Sequence, residues 1–480
     1  MNTIYLSPTD LLFFRDGRPM GGAHAGHGAA WPLPNVLDSA LHAALWRSGL
    51  KKQSHGHGAG DSRHFGALTN AGPFPVRRDA TGNTWYFPRP SDACKPGSAL
   101  VTHHPSAHVT PEASSLATPL KYGVESTIEP SKDVLDAWWS GSAWDAYLHG
   151  IAPAPHFAAD RDVFATEHTY GIAIDPATAT TGHGEAEGMI YSAQYLRLRE
   201  DSKQRWLLGL CAACPDKGPN GSGSGHNGND LLQRLFERSE GESTVIVGGQ
   251  QRVCSVELQP ASRQTVPAPL PLPRGMTNGF TKAVIDGKER WLVKWIPLTP
   301  AIWPEIPNKD KKGNRVTPHP GGWLPNWVFV DWDSDTATIQ SSSENGKVLL
   351  VNRAGKRTRR FDSATGKHVR TAETENSIDA QLVAAIVPKP HIVTGWTVHH
   401  EAGNGYEGAK HTHLAVPAGA VYYFECGTQE SAQLLAAALN WHGKDDFTTI
   451  RNRRSTLLGE KGFGLGVCGT WQFHPGGEPA

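Results

Sequence analysis

This 480-residue chain is short of cysteine, of net charge and of long apolar runs. Six Cys over that length cannot form the disulfide framework of a small secreted domain, so the expectation is a reducing cytoplasm. The longest apolar stretches break well before the roughly 20 residues of a bilayer span, so no membrane segment is expected. Asp10, Arg15 and Asp16 interrupt the apolar residues after Met1, which argues against a secretory signal. Basic and acidic residues balance at 46 each, which taken alone weighs against a nucleic-acid partner. The P-loop pattern GxxxxGK(S/T) does not occur, and neither does the zinc-protease pattern HExxH, so neither a P-loop nucleotidase nor such a metalloenzyme is expected.

What is abundant is glycine (52) and proline (35), beside 16 Trp and 15 Phe. Aromatic side chains supply the large buried areas that a loop-rich chain needs against its conformational entropy. The length suggests two or three domains. Residues 3–6 read as a strand, and 35–46 as a helix capped by Asn35, with Val36, Leu37, Ala40, Leu41, Ala44 and Leu45 on one apolar stripe. Residues 51–130 are rich in Gly, His, Ser and Pro and read as a long insertion, before a helical pattern around 133–148. Strands are expected at 170–174, 188–197, 206–210 and 243–247, with a short helix at 230–238. The proline-rich stretch 260–274 marks a boundary between domains at 1–259 and 275–480. In the second part, strands are expected at 290–298 and 421–425, a helix at 430–440, and a glycine loop running into a last strand at 463–473. Two strand–helix–strand arrangements predict an α+β fold of duplicated sandwiches.

Three local patterns bear on chemistry. Cys211 and Cys214 form a lone CxxC with no second pair at zinc spacing, and are read as structural. Residues 347–370 carry eight Lys or Arg against a single acid, Asp362. Their alternation before Gly355 and Lys356 suggests an exposed hairpin, with Arg357, Arg359 and Arg360 as RNA contacts; the other reading is a solvated face. A further basic cluster is Arg451, Arg453 and Arg454. The third pattern, GEKGFGLG at 459–466, has four glycines in eight residues. Such a loop permits positive φ and exposes successive N–H groups to a phosphate, with Lys461 as a point charge and Phe463 as a stacking face. Lys461, Gly462, Phe463 and Gly464 match the first positions of the RNA-recognition signature, while Leu465 and Cys468 stand where it expects aromatics. A tight structural turn is the alternative. The two GxGxxG matches, at 223–228 and 464–469, lack the following helix of a dinucleotide site. No cofactor and no metal is expected.

In order along the chain, LSPTDLLFFRDGRP at 6–19, WPLP at 31–34, YGIAID at 170–175 and GMIY at 188–191 resemble one family. So do Gly248-Gly249 with Arg252, LTPA at 298–301, GWLP at 322–325, Gly395-Trp396, PAGAVYYFE at 417–425 and GFG at 462–464. The family is that of the third subunit of the Cmr module of type III-B CRISPR systems, within the RAMP superfamily. The chain departs from its pattern at His168 or Thr169, where an Arg belongs, and at Gln250, where an acid belongs. Residues 51–70 and about 333–377 are similar to insertions. The resemblance implies two ferredoxin-like (RRM-like) domains with long insertions, gripping the 5′ tag of the guide RNA (crRNA). It also implies docking on the large polymerase/cyclase subunit, with backbone RAMP subunits beside it and catalysis left to those neighbours. Arg15, Arg18 and Lys461 to Gly464 are the RNA contacts to expect. The rival expectations are a metal-independent guide-processing endoribonuclease using His24 or His27, and a purely structural bridge.

Overall fold

The computed structural model describes residues 1–14, 25–26, 31–50, 68–93, 101–109, 114–116, 120–129, 136–150, 156–172, 174–175, 177–181, 190–215, 230–237, 243–260, 268–309, 313, 316–352, 359–362, 367–370, 376–397, 408–409 and 411–479. The fold is α+β and mostly sheet, with few helices.

The first half builds its sheet from β1 (Asn2–Pro8), β2 (Thr69–Asp79), β3 (Gly82–Pro88) and β4 (Trp138–Ser140). A separate hairpin pairs β5 (Phe164–Ile172) with β6 (Ile190–Leu198), and the main sheet adds β7 (Gln204–Ala213) and β8 (Val253–Gln259). Strand order in the eight-stranded sheet is Thr244–Ile246, β8, β1, β7, β2, β3, β4, Phe157–Ala158. The four central strands are antiparallel neighbours. Helix α1 (Pro34–Arg47) lies between β1 and β2 in sequence, α2 (Gly141–Leu148) follows β4, and α3 (Leu231–Glu237) lies between β7 and β8.

The second half mirrors that order with fewer parts. Its sheet holds β9 (Lys288–Pro297), β10 (Ala380–Ile386), β11 (Val421–Cys426) and β12 (Gly466–Thr470), with α4 (Gln429–Leu439) between β11 and β12. β11 is flanked by β9 and β10, and β12 pairs with the other edge of β9. Among the described residues no helix joins β9 to β10, so the second half carries one strand–helix–strand unit rather than the symmetric pair that duplication predicts.

The middles of β1 and β11 are buried on both faces, in keeping with their short unbroken apolar runs Ile4-Tyr5-Leu6 and Val421–Phe424. Alternation along β1 sends Ile4 and Leu6 toward α1 and α3, and Tyr5 toward the second sheet. Along β11, Tyr422 and Phe424 meet α4, while Val421 and Tyr423 face the first sheet. The layers therefore run helices, sheet, sheet, helix, with Trp144, Tyr147 and Leu148 of α2 packed into the cluster where the sheets meet.

Two local expectations need correction. Asn35 does not cap α1: Leu33 is the N-cap without a side-chain bond, and Pro34 opens the helix with its φ already suited to it. Residues 51–130 are not simply an insertion, because they contain β2 and β3 from the body of the main sheet. Gly72, Pro73 and Pro75 hid β2, since proline removes a ladder donor. The β7 partner accommodates them with a register shift between Gly209 and Cys211.

His442 adds a pH dependence to this core. Its ring is buried against Trp441 and Phe447, and its Nε2 accepts from Gly275 N (3.1 Å), an arrangement that holds the neutral form. Burial pushes its pKa down to about 4. The unfolded histidine takes up a proton near pH 6.5 and the folded one does not, so this contribution is fully present above about 6.5 and is lost as pH falls toward about 4. Wild-type protein should lose about 3 kcal/mol more than His442→Gln across that interval, read as the difference in denaturant midpoints. Parallel losses in the two proteins would exclude His442 as the source.

Candidate nucleic-acid interface

A cleft of about 580 Å³ opens where the two halves meet. On one side stand Trp31 to Val36, from the entry to α1, with Pro73, Phe74 and Trp138; on the other are Leu298 to Pro300, Pro390 to Ile392, Thr394 and Ala418. Trp31 and Trp138 lie with ring centroids 5.2 Å apart. Each indole is fixed by its N–H, Trp31 donating to Pro73 O (2.9 Å) and Trp138 to Asp160 Oδ1 (2.8 Å). The walls are aromatic and proline-rich, the polar groups are Asn35, Asp160, Thr299, His391 and Thr394, and among the described residues no lysine or arginine lines them. Such a surface suits a planar, neutral group better than a phosphate.

Segments quoted above for the family pattern converge here: Phe14 from 6–19, Trp31 to Pro34, Leu298 to Pro300, and Ala418 from 417–425. In sequence they only mark a family; the fold brings them to the two sides of one cleft. Trp138 and Asp160 were missed outright, since nothing in their neighbourhood announces a site.

The glycine loop lies behind this wall rather than open to solvent. Lys461 N and Phe463 N donate to Leu458 O (2.9 and 3.3 Å), Gly462 N to Gly459 O (3.1 Å) and Gly464 N to Pro300 O (2.8 Å). None of these four N–H groups is left over for a phosphate. Phe463 is 0% exposed, packed with Ile302, Val393 and Ala415 against Leu33, Leu457 and Leu458. It offers no face to a base, which corrects the stacking expectation. Gly462 and Gly464 do take positive φ (92° and 74°), and a Cβ would overlap Asn70 Oδ1 at the first and Ser455 N at the second. Here glycine serves close packing. Lys461 is half-buried, on the one-turn helix Gly459–Lys461.

The cluster at 451–454 is likewise structural. Arg451 Nε donates to Asp446 Oδ2 (2.8 Å), and Arg454 Nε to Ala438 O (2.7 Å), with burial bringing Arg454 down to about 10. Arg453 is half-buried near Asp38 and Glu460. Cys211 and Cys214 are buried, and burial pushes the Cys211 thiol up to about 12, in line with a structural role. Among the described residues no group of three or more His, Cys, Asp or Glu could hold a metal ion, and no helix is long and apolar enough to cross a membrane.

Arg15, Arg18, His24, His27 and Arg357 lie outside the described residues. Arg359 and Arg360 sit on the strand Arg359–Asp362, paired with Lys367–Arg370. The bridge Lys347–Gln381 and the pairs Val351–Ser377 and Asn352–Asn376 lie nearer the second sheet. Gly355 and Lys356, where the hairpin turn is expected, lie outside the described residues.

A family model described as CRISPR-associated protein (Cas_Cmr3) matches residues 4–471. No curated protein matches the sequence. Similar solved structures include a cryo-EM structure of the type III-B Cmr-beta complex bound to cognate target RNA, at 13% identity and a TM-score of 0.34 over 88% of this chain and 86% of that one. A second, with AMPPnP also bound, is similar at 13% identity and a TM-score of 0.32 over the same shares. Likenesses this distant carry no argument about fold or partners.

Proposed function

The chain belongs to the CRISPR-associated Cmr3 family, and from that premise we propose that it is a non-catalytic, RNA-binding subunit of a type III-B effector that grips the 5′ tag of the guide RNA. The observation that carries this reading is the convergence of the family-pattern segments on one aromatic cleft. In this reading an unpaired base of the tag enters the cleft beside Trp31, while Arg15, Arg18 and Lys461 meet phosphates of the same RNA. Arg357, Arg359 and Arg360 of the basic segment meet RNA as well. The large polymerase/cyclase subunit and the backbone RAMP subunits are the protein partners, and they carry the chemistry.

We further read residues 1–259 and 275–480 as two domains of ferredoxin-like descent. The run β1, α1, β2, β7, α3, β8 with sheet order β8-β1-β7-β2 supports this, as does β12-β9-β11-β10 in the second half. The sheet faces that would bind RNA in a lone domain of this kind are largely spent on each other.

The test compares affinity for guide RNA with and without its tag. Wild-type protein should prefer the tagged guide and leave it intact. Trp31→Ala should weaken tagged binding by about 5- to 100-fold, the equivalent of one lost stacking contact. Equal affinity for both RNAs would sink tag recognition, and cleavage by the pure chain would favour the endoribonuclease reading.

A further inference from the structure

Away from the cleft, one end of the first sheet is left uncovered by the second. Tyr5, Phe74, Val76 and Leu207 of that face belong to the cluster between the sheets. Beyond them a cavity of about 250 Å³ is lined by Tyr5, Ser7, Arg78, Arg205, Leu207, Ser255, Val256 and Glu257, all from the first half.

Arg78 is unusually well held there. Its Nε donates to Asn83 Oδ1 (2.8 Å), its Nη1 and Nη2 donate to the two oxygens of Glu257 (2.6 and 3.1 Å), and its guanidinium lies 5.1 Å from the Tyr5 ring centroid. The plane of the group is therefore fixed by three hydrogen bonds and an aromatic neighbour, with 22% of the side chain exposed. Arg205 stands directly opposite Arg78 across the β7–β2 ladder, on the same face. Like charges in that position repel. Glu257 compensates Arg78, whereas Arg205 is exposed and makes no ion pair among the described residues, Glu200 across the neighbouring bridge included. Ser7 and Ser255 place hydroxyls on the same lining.

We propose that this rim is a second contact for single-stranded RNA, in which a base stacks on the guanidinium plane of Arg78 and a neighbouring phosphate meets Arg205. A rigid planar cation beside a free one, on the face of a sheet, is the chemistry that accepts an unpaired nucleotide. An acidic peptide would use the charges but have no use for a guanidinium plane pinned beside a tyrosine. The proposal rests on the RNA-binding reading above, and it adds a site remote from the cleft.

The test uses the full chain and a single-stranded RNA oligonucleotide, titrated at several salt concentrations. Arg205→Ala, on an exposed side chain, should weaken binding about 3- to 10-fold and reduce the salt slope by about one counterion. Arg78→Lys keeps the charge and removes the plane, so it should weaken binding with the slope unchanged, thermal unfolding serving as the check on its fold. Wild-type affinity and slope in folded Arg205→Ala would overturn the proposal whatever Arg78→Lys does. A wild-type chain that binds no RNA at all would instead overturn the proposed function, while retained tag preference with loss of this contact separates the two sites.

Discussion

Lys294→Ala should cost about 3–5 kcal/mol of stability, because it strands a carboxylate between the two halves. Asp92 and Lys294 are 0% and 1% exposed, and Nζ donates to Asp92 Oδ2 (2.7 Å). Tyr147 OH donates to Asp92 Oδ1 (2.6 Å), and the ammonium lies 4.0 Å from the Tyr147 ring centroid. Burial pushes the lysine below its ordinary pKa, and Asp92 opposes that shift. Asp92 and Tyr147 come from the first half and Lys294 from β9, so the cluster fixes how the sheets face one another. Attraction at this distance does not by itself make the pair stabilising, since both charges have left water. The asymmetry is testable: Asp92→Leu with Lys294→Met should recover much of what either single replacement loses. Denaturant unfolding of the four proteins gives the coupling. Additive losses would mean that the two groups do not act as a pair.

Gly464→Val should cost about 3–5 kcal/mol whether or not RNA is present. Positive φ in a β-branched residue costs on the order of 1–3 kcal/mol, and the side chain would run into the Ser455 backbone. Phe463→Ala should cost about 3–5 kcal/mol as well, by opening a cavity between the halves. The diagnostic is tag preference measured on the folded fraction. It should stay as in the wild type for both variants, since neither residue presents a group to RNA. A variant of normal stability that has lost its preference for the tag would restore the loop as a contact.

The glycine loop shows where reading from sequence ran out. Its composition is equally suited to an anion-binding nest and to a tight packing turn, because both need positive φ. What separates them is the destination of four N–H groups, and one of the acceptors, Pro300 O, is more than 150 residues away. Phe463 is similar: exposure cannot be read locally when Leu33, Ile302, Val393 and Ala415 do the covering. β2 went unseen for the opposite reason, since its prolines are a local signal against a strand that the β7 register shift absorbs. In the basic run the strand Arg359–Asp362 pairs with Lys367–Arg370, while Gly355 and Lys356 lie outside the described residues.

By itself the sequence determined the family, through an ordered set of short segments, and the elements whose period is clean: β1, α1, β11 and α4. In those, side-chain alternation or helical spacing is a property of neighbours in the chain. Only the tertiary structure decided that the two sheets bury their faces on each other, that the family segments share a cleft, and that Arg78 lies pinned beside an Arg205 with no ion pair among the described residues. Those facts depend on which distant surfaces exclude water from which, and burial of that kind has no local signature.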